Sequence, residues 1–159
     1  MPRATDSKSR LLIVDDEPAN IRILSNILTE DYVLSAATNA ERALALAKSQ
    51  SPDLILLDMV MPGMDGLAAC EALKAMDETR DIPVIFVTKL DDPENEEQGL
   101  LAGAVDYIAK PVSPPIVKAR VKIHLQNFQT VRFLESLLSS QTTSLEDART
   151  QAKSLLVFA

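Results

Sequence analysis

Five short apolar runs, spread over the first 108 residues of the chain, constrain its fold more than any other feature of the sequence. Four of them show little or no alternation of polar and apolar residues, which is typical of strands buried on both faces of a sheet. Stretches of about 15 to 25 residues with helical spacing separate the runs. The runs cover residues 11–14, 32–34, 54–57, 84–87 and 105–108. Their order predicts five strands, each followed by a helix.

Three of the predicted helices have a recognisable start. A polar residue stands directly before a proline at Glu17, Asp92 and Ser113, and a polar N-cap followed by proline in the first turn is a common beginning of a helix. A strand followed by a helix, five times over, predicts an α/β fold with a doubly wound, five-stranded parallel sheet and helices on both faces. In such folds the functional site forms outside the carboxyl ends of the strands.

The last predicted helix is longer than so small a domain can pack against. No glycine or proline follows Pro115, and about 45 helical residues from Pro114 would extend roughly 65 Å. The second half fits a heptad pattern at Val131, Leu134, Leu138, Gln141, Leu145, Ala148, Ala152 and Leu155. Because a glutamine and two alanines occupy core positions, this seam is weak. It predicts a dimeric coiled coil or, alternatively, a helix ordered only by a neighbouring domain.

These features divide the chain into three parts. We expect a disordered N-terminal tail over residues 1–9, a compact domain over 10–126, and a helical or coiled-coil linker over 127–159. Residues 155–159 end the chain on an apolar stretch with neither a cap nor a polar tail. We therefore expect the chain to be a piece of a longer protein, in which the linker leads to an output domain.

The charge and the cysteine content exclude several classes of function. Sixteen Lys and Arg against 23 Asp and Glu give a formal charge of −7, which argues against direct binding of nucleic acid. The apolar runs are far shorter than the roughly 20 residues that cross a bilayer, and residues 1–10 lack the apolar core of a signal peptide. Cys70 is the only cysteine, so no internal disulfide can form. A cytoplasmic protein without a membrane segment is expected.

Polar side chains that suit a reactive site lie at the ends of four of the predicted strands. Asp15 and Asp16 follow the first strand, Asp58 follows the third, Thr88 ends the fourth, and Lys110 follows the fifth. Three carboxylates at one edge of a sheet would raise each other's pKa unless a cation neutralises them. Oxygen ligands of this kind suit Mg²⁺, which keeps positions open for water and phosphate oxygens. The sequence therefore predicts a magnesium site.

The same residues predict phosphoryl chemistry. With a metal bound, Asp58 could remain ionised and act as a nucleophile toward a phosphoryl group. Lys110 would pair with one phosphoryl oxygen, and the Thr88 hydroxyl would donate to another. Each residue also has a plain structural interpretation, as a helix N-terminal acid, a loop cap, a strand threonine or a solvated lysine. Their joint position at the strand ends favours a phosphoryl acceptor site.

Four segments carry a family resemblance. They are the apolar strand that ends in an acid pair (12–17), the segment that begins at Asp58 (58–66), the pair 87–88, and the segment that ends in a lysine and a proline (103–111). Together they make the first roughly 125 residues similar to the receiver domain of two-component response regulators. The resemblance implies a flavodoxin-like, CheY-like fold.

The resemblance also implies the roles of the acidic residues. Asp58 would accept the phosphoryl group from a phosphohistidine, carried by a histidine kinase or a phosphotransfer protein. Asp15 and Asp16 would hold Mg²⁺ together with Asp58 and the Met59 carbonyl.

Further roles are implied for the residues on the last two strands. Thr88 and Lys110 would bind the phosphoryl oxygens, and Tyr107 would be an aromatic switch that responds to the position of Thr88. The bond between Lys110 and Pro111 would be cis. Lys89 departs from the family pattern, which usually has a small residue there. A long cation at this position is expected to modulate phosphorylation or dephosphorylation, or else to be an ordinary solvated side chain.

The implied output is the relay of a signal rather than turnover of a metabolite. The segment 121–127 and the long helix after it resemble linkers that precede cyclic-dinucleotide synthesis or hydrolysis domains, or histidine kinases. Homodimers through the C-terminal helix or through the last helix-strand-helix face are expected. His124 has no second histidine or cysteine to complete a zinc site, and we interpret it as structural.

Two other functions are open to these residues. One is a magnesium-dependent phosphatase with Asp58 as nucleophile, although such an enzyme would want an acid at position 60, which is Val60. The other is a scaffold receiver that binds partners without being phosphorylated. The complete set of strand-end residues described above argues against the scaffold.

Overall fold

A computed structural model describes residues 7–89 and 93–141 of the chain. Five strands and five helices alternate along it, which confirms the predicted α/β fold. The elements are β1 (Arg10–Val14), α1 (Pro18–Leu28), β2 (Val33–Ala37), α2 (Ala40–Gln50), β3 (Leu54–Leu57), α3 (Gly66–Ala75), β4 (Val84–Thr88), α4 (Pro93–Leu101), β5 (Asp106–Ala109) and α5 (Pro114–Gln141).

The strands form one parallel sheet in the order β2-β1-β3-β4-β5. The chain moves outward from β1 to β2 and then crosses back to β3 on the other side of β1. This reversal of strand order lies between β1 and β3, and ligands of doubly wound folds bind at the carboxyl ends of such a strand pair. The topology therefore directs attention to the loops after β1 and β3.

The central strands explain the uninterrupted apolar runs. Alternate residues of β3 belong to different cores: Ile55 and Leu57 pack on one face of the sheet, and Leu54 and Leu56 on the other. All four are at most 1% exposed. Strands covered by helices on both faces must be apolar at every position, and β1 and β4 are divided between the two cores in the same way.

The edge strands differ from their predicted positions. β2 extends to Ala37, beyond the predicted run 32–34, through a serine and two alanines that a search for apolar runs overlooks. β5 begins at Asp106, one residue later than predicted, and Val105 before it is 43% exposed. Both strands have only one neighbour in the sheet, so they are less buried than the central strands and their sequences are less apolar.

Three helices start at the predicted prolines, but the predicted cap at Glu17 makes no side-chain bond, and Asp92 lies outside the described residues. α1, α4 and α5 each begin at a proline, and Glu17 precedes α1 in an extended conformation without a side-chain cap bond. Two side-chain caps were not predicted. The carboxamide oxygen of Asn39 accepts a hydrogen bond from Arg42 N (2.8 Å), and a carboxylate oxygen of Asp65 accepts one from Ala68 N (2.9 Å).

The chain divides into two compact units, Met1–Leu125 and Gln126–Ala159. In the second unit, described to residue 141, apolar side chains are exposed at Val131 (53%) and Leu134 (53%), and the Arg132 guanidinium lies 5.6 Å from the centre of the Phe128 ring. The side chain of Gln141 and the heptad positions after it, Leu145, Ala148, Ala152 and Leu155, lie outside the described residues. Across 7–89 and 93–141, none of the helices combines the length and hydropathy of a bilayer-spanning segment.

Candidate functional site

Three carboxylates meet where β1 and β3 end. Asp15 and Asp16 follow β1, Asp58 follows β3, and one oxygen of each lies within 4.8 Å of the others. The two strands are adjacent, and Asp58 N donates to the Val14 carbonyl at 2.9 Å. The hydrogen-bond ladder between β1 and β3 therefore continues to Asp58. Asp15 is 1% exposed and Asp58 is 7% exposed. Two nearly buried acids therefore lie side by side.

Donors occupy both oxygens of Asp15. Lys110 Nζ donates to Oδ2 at 2.5 Å, Glu17 N donates to Oδ1 at 2.9 Å, and Asn20 Nδ2 donates to Oδ1 at 3.4 Å. Asn20 also donates to a carboxylate oxygen of Glu17 at 3.3 Å. Asn20 was not predicted as part of the site. The signal for it was its position in the first turn of α1, five residues after Asp15, where a side chain can turn back to the strand end.

The Asp58 carboxylate has fewer donors than that of Asp15. Val60 N donates to Oδ1 at 3.2 Å, and Lys110 Nζ donates to Oδ2 at 3.3 Å. Burial raises the pKa of Asp58, and the charge of Asp15 adds to the rise, while the bonds from Val60 and Lys110 oppose it. The ionised form of Asp58 is thus under electrostatic strain that a bound cation would relieve.

Lys110 neutralises part of this negative charge. Burial acts to lower the pKa of Lys110, but hydrogen bonds and charges from Asp15 and Asp58 outweigh it and leave the pKa raised, so the ammonium form is favoured. Lys110 directly follows β5, and its backbone N–H donates to the Thr88 carbonyl at 2.9 Å, which fixes the start of the side chain. The Lys110–Pro111 bond is cis, as predicted. Thr88 ends β4 and is 1% exposed.

The loop after Asp58 is anchored at the start of α3. Gly66 N donates to the Met59 carbonyl at 2.9 Å, so this predicted metal ligand already accepts a hydrogen bond. A Cβ atom on Gly66 would lie 2.1 Å from the Asp58 carbonyl oxygen and 2.6 Å from Met59 Cα. Position 66 therefore requires glycine, because any side chain would push against the backbone of the reactive residue.

Replacing Gly66 with alanine is expected to destabilise the fold by about 1 to 3 kcal/mol, the usual range for an added methyl group with no room. The measurement is the free energy of unfolding from denaturant titration followed by circular dichroism. Gly63→Asn is the control, because nothing lies within 4 Å of a Cβ there and asparagine tolerates its φ of +76°. Equal losses in the two variants would contradict the steric explanation.

A polar cluster joins β5 to α5 beside Tyr107. The Asp106 carboxylate accepts from Arg120 at 3.2 Å and lies 2.8 Å from His124 Nε2, and the same guanidinium donates to the Tyr107 carbonyl. The Tyr107 ring packs against the core that contains Phe86, and its hydroxyl oxygen is buried. The contact of His124 with Asp106 agrees with a structural role. Its partner was not predictable from spacing because the two residues lie on different elements.

Lys89 lies at the end of β4 and is exposed. It lines a cleft beside the acidic cluster, and Lys110 belongs to the same lining. The structure thus brings Lys110 into contact with two of the three clustered carboxylates, Asp15 and Asp58, while Thr88 is joined to Lys110 through the backbone and Lys89 shares only the lining of the cleft. The three carboxylates could hold a metal ion, and an all-oxygen donor set of this kind fits a hard divalent cation.

Comparison with known proteins agrees with this geometry. Residues 11–122 match the family model described as the response regulator receiver domain. The chain is 42% identical over 140 residues to a probable cyclic di-GMP phosphodiesterase of Vibrio cholerae, covering 88% of this chain and 31% of that protein. It is 45% identical over 115 residues to the response regulator PleD of Caulobacter vibrioides, covering 72% of this chain and 25% of that protein.

Solved structures give the same result. A CheY-like response regulator receiver domain from Methanospirillum hungatei superposes with a TM-score of 0.72 at 32% identity, covering 78% of this chain and 98% of the other. The chain therefore spans nearly the whole of this receiver structure. By contrast, it spans only about a quarter to a third of the length of the two relatives described above.

Proposed function

Because the chain belongs to the response regulator receiver domain family, we propose that Asp58 accepts a phosphoryl group from the phosphohistidine of a histidine kinase or of a phosphotransfer protein. Receiver domains are signalling domains that receive phosphoryl groups from histidine kinases. The observation that carries the proposal is the nearly buried Asp58 between two acids and the Lys110 ammonium. An aspartate in such surroundings is a nucleophile only if cations hold it ionised.

The proposed metal is Mg²⁺, held by the carboxylates of Asp15, Asp16 and Asp58. The Met59 carbonyl would join this set only through the lone pair that Gly66 does not use. When bound, the ion supplies positive charge that offsets the carboxylates and the incoming phosphoryl oxygens. The residues fit this role because all three side chains offer hard oxygen ligands within reach of one another.

The proposed transfer is a displacement at phosphorus. An ionised oxygen of Asp58 forms a bond to phosphorus while the bond from phosphorus to the donor imidazole nitrogen breaks, and the nitrogen keeps the electron pair. Lys110, which now binds Asp15 and Asp58, would move one of its hydrogen bonds to a phosphoryl oxygen. The Thr88 hydroxyl would donate to another phosphoryl oxygen.

The same threonine would report the reaction to the rest of the molecule. We expect Thr88 to turn toward the phosphoryl group and Tyr107 to respond, since β4 and β5 are paired and Tyr107 packs against the core. Asp106 and Arg120 connect the strand of Tyr107 to α5. The signal would leave along α5, and we propose residues 127–159 as the linker between a receiver unit over 10–126 and an output domain.

We also propose an output domain for cyclic-dinucleotide turnover and the pairing of two chains. Similarity to a probable cyclic di-GMP phosphodiesterase favours an output domain for cyclic-dinucleotide turnover, with a kinase as the alternative. The exposed Val131 and Leu134 support pairing of two chains through the C-terminal helix, and the exposed Leu101 and Val105 offer a second face. Light scattering with and without a phosphate mimic would measure the mass of the particle.

The central proposal is tested with acetyl phosphate as a small donor. With Mg²⁺, intact-mass measurement should find a gain of one phosphate, and excess chelator should remove that gain. The phosphate should be alkali-labile, as an acyl phosphate is, and peptide mapping should locate it at Asp58. A mass gain that is independent of metal, or that maps to another residue, would exclude the proposed site.

Removing the cation at position 89 is expected to lengthen the life of the aspartyl phosphate by about two- to threefold. A positive charge beside the phosphoryl group stabilises negative charge that develops during hydrolysis, although solvent screens an exposed lysine. Decay of phosphorylated Lys89→Ala and wild-type protein would be followed by intact mass. Lys118→Ala removes an exposed lysine of α5 as the control, and identical decay in all three proteins would mean that Lys89 is only a solvated residue.

A further inference from the structure

A cleft of about 480 Å³ opens beside the acidic cluster. Its lining comes from α1, from the end of β4 and from the segment after β5: Asn20, Ile23, Leu24, Val87, Lys89, Lys110, Pro111 and Val112. The walls are mainly aliphatic. Among the lining residues within the described ranges, those that carry charge are Lys89 and Lys110, and both are cations. This combination is typical of a site for a small anion with an apolar part.

Two residues belong to both the cleft and the acidic cluster. Lys110 Nζ donates to the carboxylates of Asp15 and Asp58, and Asn20 Nδ2 donates to Asp15. A molecule in the cleft would therefore lie next to the lysine that we assign to the phosphoryl oxygens. The cleft and the acidic cluster thus share Lys110 and Asn20.

We propose that this cleft binds the aliphatic chain of a small acyl phosphate donor, so that donors with chains longer than acetyl phosphorylate the protein faster than acetyl phosphate does. The lysines complement the charge of the phosphate group and of the carboxylate that leaves, and Ile23, Leu24 and Val112 complement the methylenes. This inference rests on the proposed phosphoacceptor function of Asp58.

The chemical step is balanced without any further reactant. An ionised oxygen of Asp58 forms a bond to phosphorus, and the bond between phosphorus and the acyl oxygen breaks. The electron pair leaves with the carboxylate, so no proton has to be transferred. The products are the aspartyl phosphate and the free carboxylate ion.

Acetyl phosphate and butyryl phosphate form a well-matched pair of donors. Their leaving carboxylates have nearly the same basicity, so the two donors differ mainly by two methylenes. Burial of one methylene corresponds to about a fourfold gain in binding, and a partly open cleft would recover only a part of it. We expect the second-order rate constant for phosphorylation of the wild type, from intact-mass time courses with Mg²⁺, to be about fivefold larger with butyryl phosphate.

Two isoleucines provide a matched pair of variants. Ile23 is 50% exposed on α1 and lines the cleft, whereas Ile123 is 51% exposed on α5 and is not part of the lining. In Ile23→Ser the ratio of butyryl to acetyl rate constants should fall to about one, and in Ile123→Ser it should stay at about five. Labelling by acetyl phosphate also shows that each variant is folded.

Three outcomes are informative, and they distinguish failure of the acyl-chain site from failure of the proposed phosphoacceptor function. Equal rate constants for the two donors in the wild type would overturn the acyl site, as expected if the cleft serves only as a contact for a donor protein. A ratio that Ile23→Ser does not change would overturn the assignment of the cleft. A wild type that neither donor phosphorylates at Asp58 would instead overturn the proposed phosphoacceptor function.

Discussion

Replacing Asp58 with asparagine is expected to abolish phosphorylation by acetyl phosphate in the presence of Mg²⁺. The amide nitrogen and oxygen are poor nucleophiles, and the remaining acids cannot substitute for the missing carboxylate. Asp15 is a poorer nucleophile because it is only 1% exposed and takes the shorter bond from Lys110, at 2.5 Å against 3.3 Å to Asp58. Intact mass after incubation with the donor gives the result directly. The expected change is from one phosphate per chain to none.

Asp77→Asn is the matched control for this variant. Asp77 carries the same side chain and is highly exposed, with a salt bridge of 3.2 Å to Arg80 at the surface. Its replacement should leave phosphate incorporation at the level of the wild type. Incorporation that persists in Asp58→Asn would mean that another group is the acceptor, and would contradict the proposed mechanism.

The same variant should be more stable than the wild type when no divalent metal is present. The pKa of Asp58 is raised in the folded protein, mainly by burial, so the folded form binds a proton more readily than the unfolded form. The contribution of Asp58 to stability is then greatest below its unfolded-state pKa and is lost as the pH rises through the raised pKa of the folded state. Asparagine has no charge to bury, and we expect a gain of about 1 kcal/mol at neutral pH.

Magnesium should reverse this order of stability. A ligand that binds only the folded state stabilises it in proportion to the logarithm of its concentration over the dissociation constant. The wild type should gain thermal stability as Mg²⁺ is added, and the variant, which lacks one of the three carboxylates, should gain less. Equal responses of the two proteins to Mg²⁺ would mean that Asp58 is not a ligand.

The positions of the acids were predictable because parallel strands have their carboxyl ends at the same edge of a sheet. An acid that directly follows an apolar strand must lie at that edge, whatever the details of the loops. Asp15 and Asp58 could therefore be paired although they lie 43 positions apart in the sequence, and the structure joins β1 and β3 directly. The strand order that makes them neighbours follows from the doubly wound topology rather than from local sequence.

The hydrogen bonds of the site were less predictable. Asn20 reaches Asp15 because α1 begins close to the end of β1, and the contact depends on a rotamer. His124 and Arg120 meet Asp106 because α5 packs against the sheet, and no periodic pattern in either segment identifies the partner. Contacts of this kind depend on tertiary packing, which short-range spacing does not encode.

The edge strands and the Met59 carbonyl illustrate the same limit. The predicted position of β2 was wrong at its C-terminal end because the strand contains a serine and two alanines. Such residues are tolerated on a strand with one neighbour, where apolar composition indicates a strand less clearly. The direction of the Met59 carbonyl depends on the turn that carries the chain into α3. Gly66 N fixes that turn by donating to this carbonyl. The sequence alone does not show which lone pair of the carbonyl oxygen remains for a metal ion.

Replacing Lys110 with methionine is expected to slow phosphorylation by about 100- to 1000-fold, the usual cost of losing a donor that stabilises charge in a transition state. Methionine keeps a similar length and apolar stem, but it cannot donate to Asp15, to Asp58 or to a phosphoryl oxygen. The rate constants with acetyl phosphate and Mg²⁺ would be taken from intact-mass time courses.

Lys89→Met is the control because it removes a second lysine that lines the same cleft. Lys89 is exposed, whereas the ion pairs to Asp15 and Asp58 come from Lys110. It should change the phosphorylation rate by no more than about threefold, as expected for a solvent-screened charge. A loss in Lys110→Met that is as small as the loss in Lys89→Met would show that position 110 acts only through general charge. A large loss in Lys110→Met alone would show that the two hydrogen bonds from Lys110 place its charge where the transferred phosphoryl group must lie.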